Sequence, residues 1–278
     1  MSLLRLLLLT ALAAMAPPGV ERAVSQSILF WQGSDAAEPF GAEDPHAEND
    51  VPRIPEPMVF DLVRSLGARR GELEVNTLAL FPLRRLRGPA SGDPAAFERR
   101  AGTAWAPEIE YALFDDFAVE FELPCEDSQV EAYKAAAQYT FGTSLNNAYV
   151  HGCQMIFEQV LDPGVSELTL LYLAGIQFDE RWSALAMAGF RTFMGRNEPD
   201  ENAAGLFNLS IFYHLCQEVT VGIETNRATF VDGAGSLLVM PQLHWEATDH
   251  VMVQLGCGAE FVDEESLPIA GLRAIYTF

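Results

Sequence analysis

The sequence predicts an all-β fold: an up-and-down antiparallel transmembrane β-barrel of about 12 strands. Three observations predict it. From residue 71 onward, segments of roughly ten residues alternate apolar and polar side chains with period two. The connections between them alternate between tight turns and longer polar stretches. The last segment, Leu272-Arg-Ala-Ile-Tyr-Thr-Phe278, carries Leu272, Tyr276 and the terminal Phe278 on one alternating face.

Residues 1–25 read as a signal peptide. Arg5 forms a short basic start, and the apolar run Leu6-Leu-Leu-Leu-Thr-Ala-Leu-Ala-Ala-Met-Ala16 follows it. The run is shorter than the roughly 20 apolar residues of a spanning helix. Ala14-Met15-Ala16 and Ala23-Val24-Ser25 are the two cleavage contexts, which puts the mature start between residues 17 and 26. No later apolar run approaches spanning length.

Residues 26–70 are rich in acid and proline, with Pro52, Pro55 and Pro57 close together. They read as a periplasmic leader or linker, or as a plug folded into the barrel. One periodic piece, Met58-Val-Phe-Asp-Leu-Val-Arg-Ser-Leu66, is expected to form a short helix or an extra strand.

Residues 71–278 form the predicted barrel. The twelve segments are 72–82, 103–114, 117–123, 131–141, 148–159, 167–178, 183–193, 205–215, 218–226, 235–246, 250–261 and 268–278. Tight connections fall at 115–116, 142–147, 179–181, 217–218 and 248–249. Longer ones fall at 84–102, 124–130, 195–204, 227–234 and 263–267, with 161–166 shorter than its neighbours. Short periplasmic turns and long outer loops are what a chain threaded up and down through a membrane produces. An even strand count places both ends beside the short turns.

The alternation separates inside from outside. In residues 117–123 the odd face is Phe, Val, Phe, Leu, while the even face holds Glu120 and Glu122. Glu108 and Glu110 share a face opposite Ile109 and Tyr111, and Glu72 and Glu74 one opposite Leu73 and Val75. A charge facing lipid costs roughly 2–4 kcal/mol near the midplane, less for acids. The acidic face is therefore expected to line the lumen, joined there by Lys134, Arg191, Glu224 and Arg273. Aromatics next to the tight turns, namely Phe114, Phe117, Phe178, Trp182, Tyr213 and Trp245, are expected to form an interfacial girdle.

The chain carries 39 acidic against 17 basic groups, for a net charge of −22, and its only lysine is Lys134. Nucleic acid is excluded as a partner, because binding it needs a basic footprint. The four cysteines, Cys125, Cys153, Cys216 and Cys257, show no framework spacing and read as small apolar barrel residues.

The C-terminal run resembles the closing strand of bacterial outer-membrane β-barrels. That implies transient recognition by the barrel-assembly machinery through Leu272, Tyr276 and Phe278. Residues 56–76, the strand Ala106-Pro-Glu-Ile-Glu-Tyr-Ala-Leu113 with Phe117-Ala-Val-Glu-Phe-Glu-Leu-Pro124, and Tyr139-Thr-Phe-Gly142 resemble uncharacterised Gram-negative outer-membrane proteins. These are similar to the transporter-like barrels named after the meta-pathway of phenol degradation. The resemblance covers residues 56–278. It implies passage of small, often apolar or aromatic compounds, and it transfers no site residue.

The expected function is an outer-membrane channel or transporter for small solutes, with an acidic, cation-preferring lumen. Twelve strands are fewer than the 16–18 of porins with wide aqueous channels, so the solutes are expected to be small. The expected partners are outer-membrane lipids, and the protein is expected to be monomeric. The alternatives are a non-conducting structural or adhesin barrel, and an outer-membrane lipid hydrolase. The outer-membrane phospholipase chemistry needs His and Ser two residues apart. None of His46, His151, His214, His244 and His250 stands in such a pair, though His151 has Cys153 two residues on. No enzyme activity, metal or cofactor is expected.

Overall fold

The computed structural model describes residues 51–60, 62–83, 102–161, 164–195, 203–230, 233, 235–262 and 265–278. The signal-peptide reading, His46, the acidic run at 43–50 and most of the 84–102 connection lie outside them.

Twelve long strands close into an antiparallel barrel. They are β1 (Leu73–Pro82), β2 (Ala104–Phe114), β3 (Phe117–Glu122), β6 (Ala132–Ser144), β7 (Tyr149–Val160), β8 (Ser166–Gln177), β9 (Trp182–Met194), β10 (Ala203–His214), β11 (Val219–Phe230), β12 (Gly235–Thr248), β13 (Val251–Val262) and β14 (Glu265–Thr277). Between β3 and β6 lies a small hairpin, β4 (Cys125–Glu126) and β5 (Gln129–Val130). Each long strand pairs with its neighbour in sequence. β1 and β14 close the ring in a register running from Glu74↔Thr277 to Pro82↔Ile269. Closure leaves none of the twelve long strands at a free edge, the condition for a sheet in lipid.

The twelve predicted segments match these strands to within a few residues. The largest boundary difference is in β11, which continues to Phe230 instead of stopping at 226. Its polar Arg227 and Thr229 read as loop, yet they stay paired with β10 and β12. The β4–β5 hairpin was expected to be loop. Its strands are two residues each, too short for any periodicity to register.

The tight connections have the backbone that tight hairpins require. Asp116 closes the β2–β3 turn with φ 65°, a conformation Asp and Asn tolerate better than most residues. Burial, and then the adjacent charge of Asp115, push the Asp116 carboxyl above its ordinary range. Leu145, Asn146 and Asn147 carry φ of 55°, 56° and 61° through the β6–β7 turn.

The outer face is an apolar band. Ile109, Phe121, Tyr133, Phe157, Phe190 and Leu255, on six different strands, are all exposed on it. A soluble monomer rarely leaves so continuous an apolar surface open. The inner face alternates with it and is buried.

Of the described residues between 51 and 72, Ile54, Met58, Leu62, Val63, Arg64, Leu66 and Ala68 are buried within the barrel, while Arg53, Ser65 and residues 69–71 are exposed. The piece at 58–66, expected to be a helix or a strand, is neither: its described residues run through bends and turns. The chain enters at the short-turn end, where Ile54 packs beside Val150 and Gly175. It rises to a tip at 57–60 and returns to the same end, where the Ala68 carbonyl accepts from the Asp116 amide at 2.7 Å. Leu62, Val63 and Leu66 pack there against Ala112, Ala118, Leu173 and Phe212 of the wall. The expectation of a polar interior is therefore corrected at this end: the lumen wall is apolar because a protein segment covers it.

Candidate functional site

The polar centre of the lumen is built on β1, β2, β3, β6 and β14. Antiparallel register places inward residues in rows across the wall. One row runs Glu74, Glu110, Glu120; the next runs Asn76, Glu108, Glu122, Lys134, Glu158. Like charges directly opposite one another destabilise a sheet, so Glu108 against Glu122 and Glu110 against Glu120 require cations.

Three side chains provide them. Arg273 places Nη2 at 2.7 Å from Glu108 and 3.5 Å from Glu110. Its Nε donates to Asn76 Oδ1 at 3.2 Å, and Nη1 donates to the Pro57 carbonyl at 3.2 Å. The Lys134 ammonium bonds Glu122 and lies 3.6 Å from Glu120. Arg64, on the inserted segment, reaches Glu72 at 3.3 Å and Glu74 at 3.5 Å. Each of these six glutamates therefore has a cation beside it. Arg64 was not read as a luminal counter-charge; the only signal was a lone arginine inside the apolar run 58–66. Arg191 pairs instead with Glu167 at 3.5 Å, nearer the long-loop end.

An acidic excess remains. Among the described residues, Glu74, Glu108, Glu110, Glu120, Glu122 and Glu224 are buried, against Arg64, Lys134 and Arg273. Oxygens of Glu108, Glu120 and Glu122 lie within 4.8 Å of one another, a spacing that suits a cation. Lys134 already serves two members of that cluster.

Glu224 has a separate task. Its carboxylate accepts from three successive backbone amides at the tip: Met58 at 2.9 Å, Val59 at 3.0 Å and Phe60 at 2.6 Å. Asn226 Nδ2 adds a fourth bond at 2.7 Å, and Gln242 Oε1 also accepts from the Met58 amide at 3.0 Å. Consecutive amides converging on one anion form a nest. The nest explains why 58–60 is neither helix nor strand, since its donors are satisfied by the wall. Gly256 and Gly271, paired across β13 and β14, open a niche for Met58; a Cβ on Gly271 would lie 2.4 Å from Met58 Cε. Gly271→Val is expected to weaken tip seating by about 1–3 kcal/mol, read as faster hydrogen exchange of the Met58–Phe60 amides.

The aromatic candidates lie beside the short turns. Phe114 and Phe117 rings are 6.4 Å apart, Trp182 and Tyr213 4.8 Å, and Tyr276 and Phe278 4.8 Å. Trp245 is exposed, and Phe178 is partly covered, its amide donating to the Trp182 carbonyl at 2.8 Å. Leu272 is exposed on the same face of β14 as Tyr276. The Phe278 amide donates to the Leu73 carbonyl at 3.1 Å, carrying closure to the last residue. Sequence reading missed the aromatics of β6 to β8: Tyr139, Phe141, Tyr149, His151 and Tyr172 form a connected group at this end. His151 Nδ1 bonds the Tyr172 hydroxyl at 2.8 Å rather than Cys153.

Above the tip, toward the long-loop end, the lumen opens into a cavity of about 450 Å³. Val59 and Phe60 form part of its lining, together with Leu206, Met240 and several carboxylates.

Solved structures of similar fold are outer-membrane proteins. An outer-membrane channel from Pseudomonas putida F1 aligns with a TM-score of 0.57 at 11% identity, over 77% of this chain and 97% of that one. The KdgM porin in complex with disordered oligogalacturonate aligns at 0.54 and 10% identity, over 74% of this chain and 99% of that one. The NanC porin aligns at 0.50 and 9% identity, over 74% and 98%. At these identities the likeness is one of fold. No curated protein matches the chain in sequence. Residues 53–277 match the family model described as HAEPLYID-like, and the chain belongs to that family.

Proposed function

We propose that this protein is an outer-membrane channel for small solutes, held closed here by its own inserted segment. One observation carries the reading: a closed barrel, apolar outside, whose described inner wall carries six buried carboxylates against two buried cations, Lys134 and Arg273, with Arg64 supplied by the inserted segment. A structural barrel has no need of a charged interior, which destabilises a protein unless fully compensated. The channels among the structures of similar fold support the same reading.

In this reading residues 1–25 are a signal peptide and residues 51–72 are the plug. The short-turn end faces the periplasm, and the protein acts as a monomer without enzymatic activity. The acidic excess gives the lumen a cation preference once the plug moves, because low-dielectric walls focus the field of the charges. Oligogalacturonate, named for the KdgM complex, is a polyanion that such a lumen repels, so its class is not carried over. The resemblance to the phenol meta-pathway barrels fits the apolar part of the cavity lining better.

The test is ion selectivity. Replacing Glu108, Glu110, Glu120 and Glu122 together by Gln keeps hydrogen-bonding capacity and removes the negative field. The reversal potential under a salt gradient is expected to move from cation-selective toward zero or anion-selective. An unchanged reversal potential would sink the cation preference. Deleting Phe278 removes the last bond of barrel closure and the terminal aromatic. The expected outcome is a lower yield of heat-modifiable protein in the outer membrane, measured against the full chain.

The filled lumen favours the second reading, a non-conducting structural barrel. Conductance that never appears, even when the tip is released, would support it.

A further inference from the structure

The cavity above the plug tip differs in chemistry from the polar centre below it. Its apolar lining comes from Val59 and Phe60 of the tip and from wall residues such as Leu206, Leu238, Met240 and Ile269. Inward-facing apolar residues in a barrel lumen ask for a partner, since water gains nothing from them. Around them stand Glu126, Glu131, Glu158, Glu167 and Glu260, against Arg191 and Arg227. Arg191 is engaged by Glu167 at 3.5 Å and by Thr169 Oγ1 at 3.3 Å. Arg227 is exposed and its Nε donates to Thr229 Oγ1 at 3.2 Å. The field in the cavity is therefore negative. Phe193 and Phe230, stacked at 6.4 Å and 21°, add ring faces to the same lining, and ring faces attract cations.

We infer that this cavity is a binding site for small organic cations, an ammonium group on an apolar body. The apolar body sits against Phe60, Val59 and Met240, and the ammonium faces the side of Glu131 and Glu158. A purely apolar solute makes no use of the net negative field, and an inorganic cation leaves the apolar wall wet. The volume of about 450 Å³ lies in the range of small-molecule sites and holds a single-ring amine with room for water. The floor is the plug tip itself, so a bound solute touches the element that closes the pore. The inference rests on the channel reading and names its solute class.

The experiment is isothermal titration of the detergent-solubilised full-length protein with phenethylammonium, 2-phenylethanol and phenylacetate. These share one ring and differ in charge. Phenethylammonium is expected to bind about tenfold more tightly than the neutral alcohol, the worth of one partly buried charge interaction, and phenylacetate more weakly still. Glu131→Gln and Glu158→Gln are each expected to lower phenethylammonium affinity several-fold without affecting the alcohol. Phe60→Ala is expected to weaken the amine and the alcohol alike. Equal affinities for the three probes, or absence of binding by the amine, would overturn the inference. Conductance measured on the same preparation separates the two readings. Ion steps without amine binding refute this site and leave the channel. Amine binding without steps in a tip-released variant supports the site and refutes the channel.

Discussion

Glu224→Ala is expected to convert a mostly closed barrel into a conducting one. The carboxylate accepts three backbone amides of the tip and stands fully buried. A hydrogen bond to a charged group contributes about 1.5–3 kcal/mol. Losing even two at the low end shifts the ratio of released to seated tip by about 3 kcal/mol, roughly a hundredfold. Glu224→Gln retains one acceptor oxygen and is expected to give a smaller shift, roughly tenfold. Two measurements check this: potassium flux from proteoliposomes, and hydrogen exchange of the Met58–Phe60 amides. Both are expected to rise in the order wild type, Gln, Ala. Unchanged exchange at those amides in the Ala variant would show that Glu224 is not the latch.

Arg273→Met is expected to destabilise the barrel by about 3–5 kcal/mol, the cost of removing one partner from a buried ionic network. Arg273 is the cation beside Glu108 and Glu110, and it also holds Asn76 and the Pro57 carbonyl. Without it, glutamates facing one another across β1, β2 and β3 repel in a buried setting. The loss is read as a lower temperature of heat-modifiability in gel electrophoresis. Adding Glu108→Gln and Glu110→Gln to the same chain is expected to recover most of it. Recovery separates charge imbalance from lost packing, since the glutamines restore no volume at position 273.

Much of this fold was legible because a barrel strand is a local pattern. In residues 117–123, period two alone assigns Phe121 outward and Glu120 inward, and both stand that way. Asp115-Asp116 marks its hairpin by residue type. The wall's cations were legible as charges in strands, but their partners were not. Arg273 and Glu108 are 165 residues apart, and only register brings them together. The path of the inserted segment was the least legible part. Its backbone donors are met by Glu224, Gln242 and Thr140 on distant strands, so the run 58–66 carries a helix-like apolar pattern without helical bonding. A plug was one of the three roles left open for residues 26–70, and nothing local in the sequence separates it from a linker.

The apolar wall near the short turns was hidden for a related reason. Ala112, Val150, Leu173 and Phe212 sit on inward positions, where an aqueous lumen calls for polar groups. They make sense only with Ile54, Leu62, Val63 and Leu66 seated against them. Each apolar side chain so buried contributes about 1.5–3 kcal/mol, so the base of the inserted segment is held by packing and its tip by Glu224. Movement confined to the tip is therefore the least costly way to open a path.

The measurement that tests the central claim most directly is single-channel conductance in a planar bilayer under a salt gradient, with the wild-type chain and Glu224→Ala side by side. The expected result is rare or small steps from the wild type and frequent, cation-selective steps from the variant. Silence from both proteins, each shown to be folded by heat-modifiability, would contradict the channel reading and leave a sealed structural barrel.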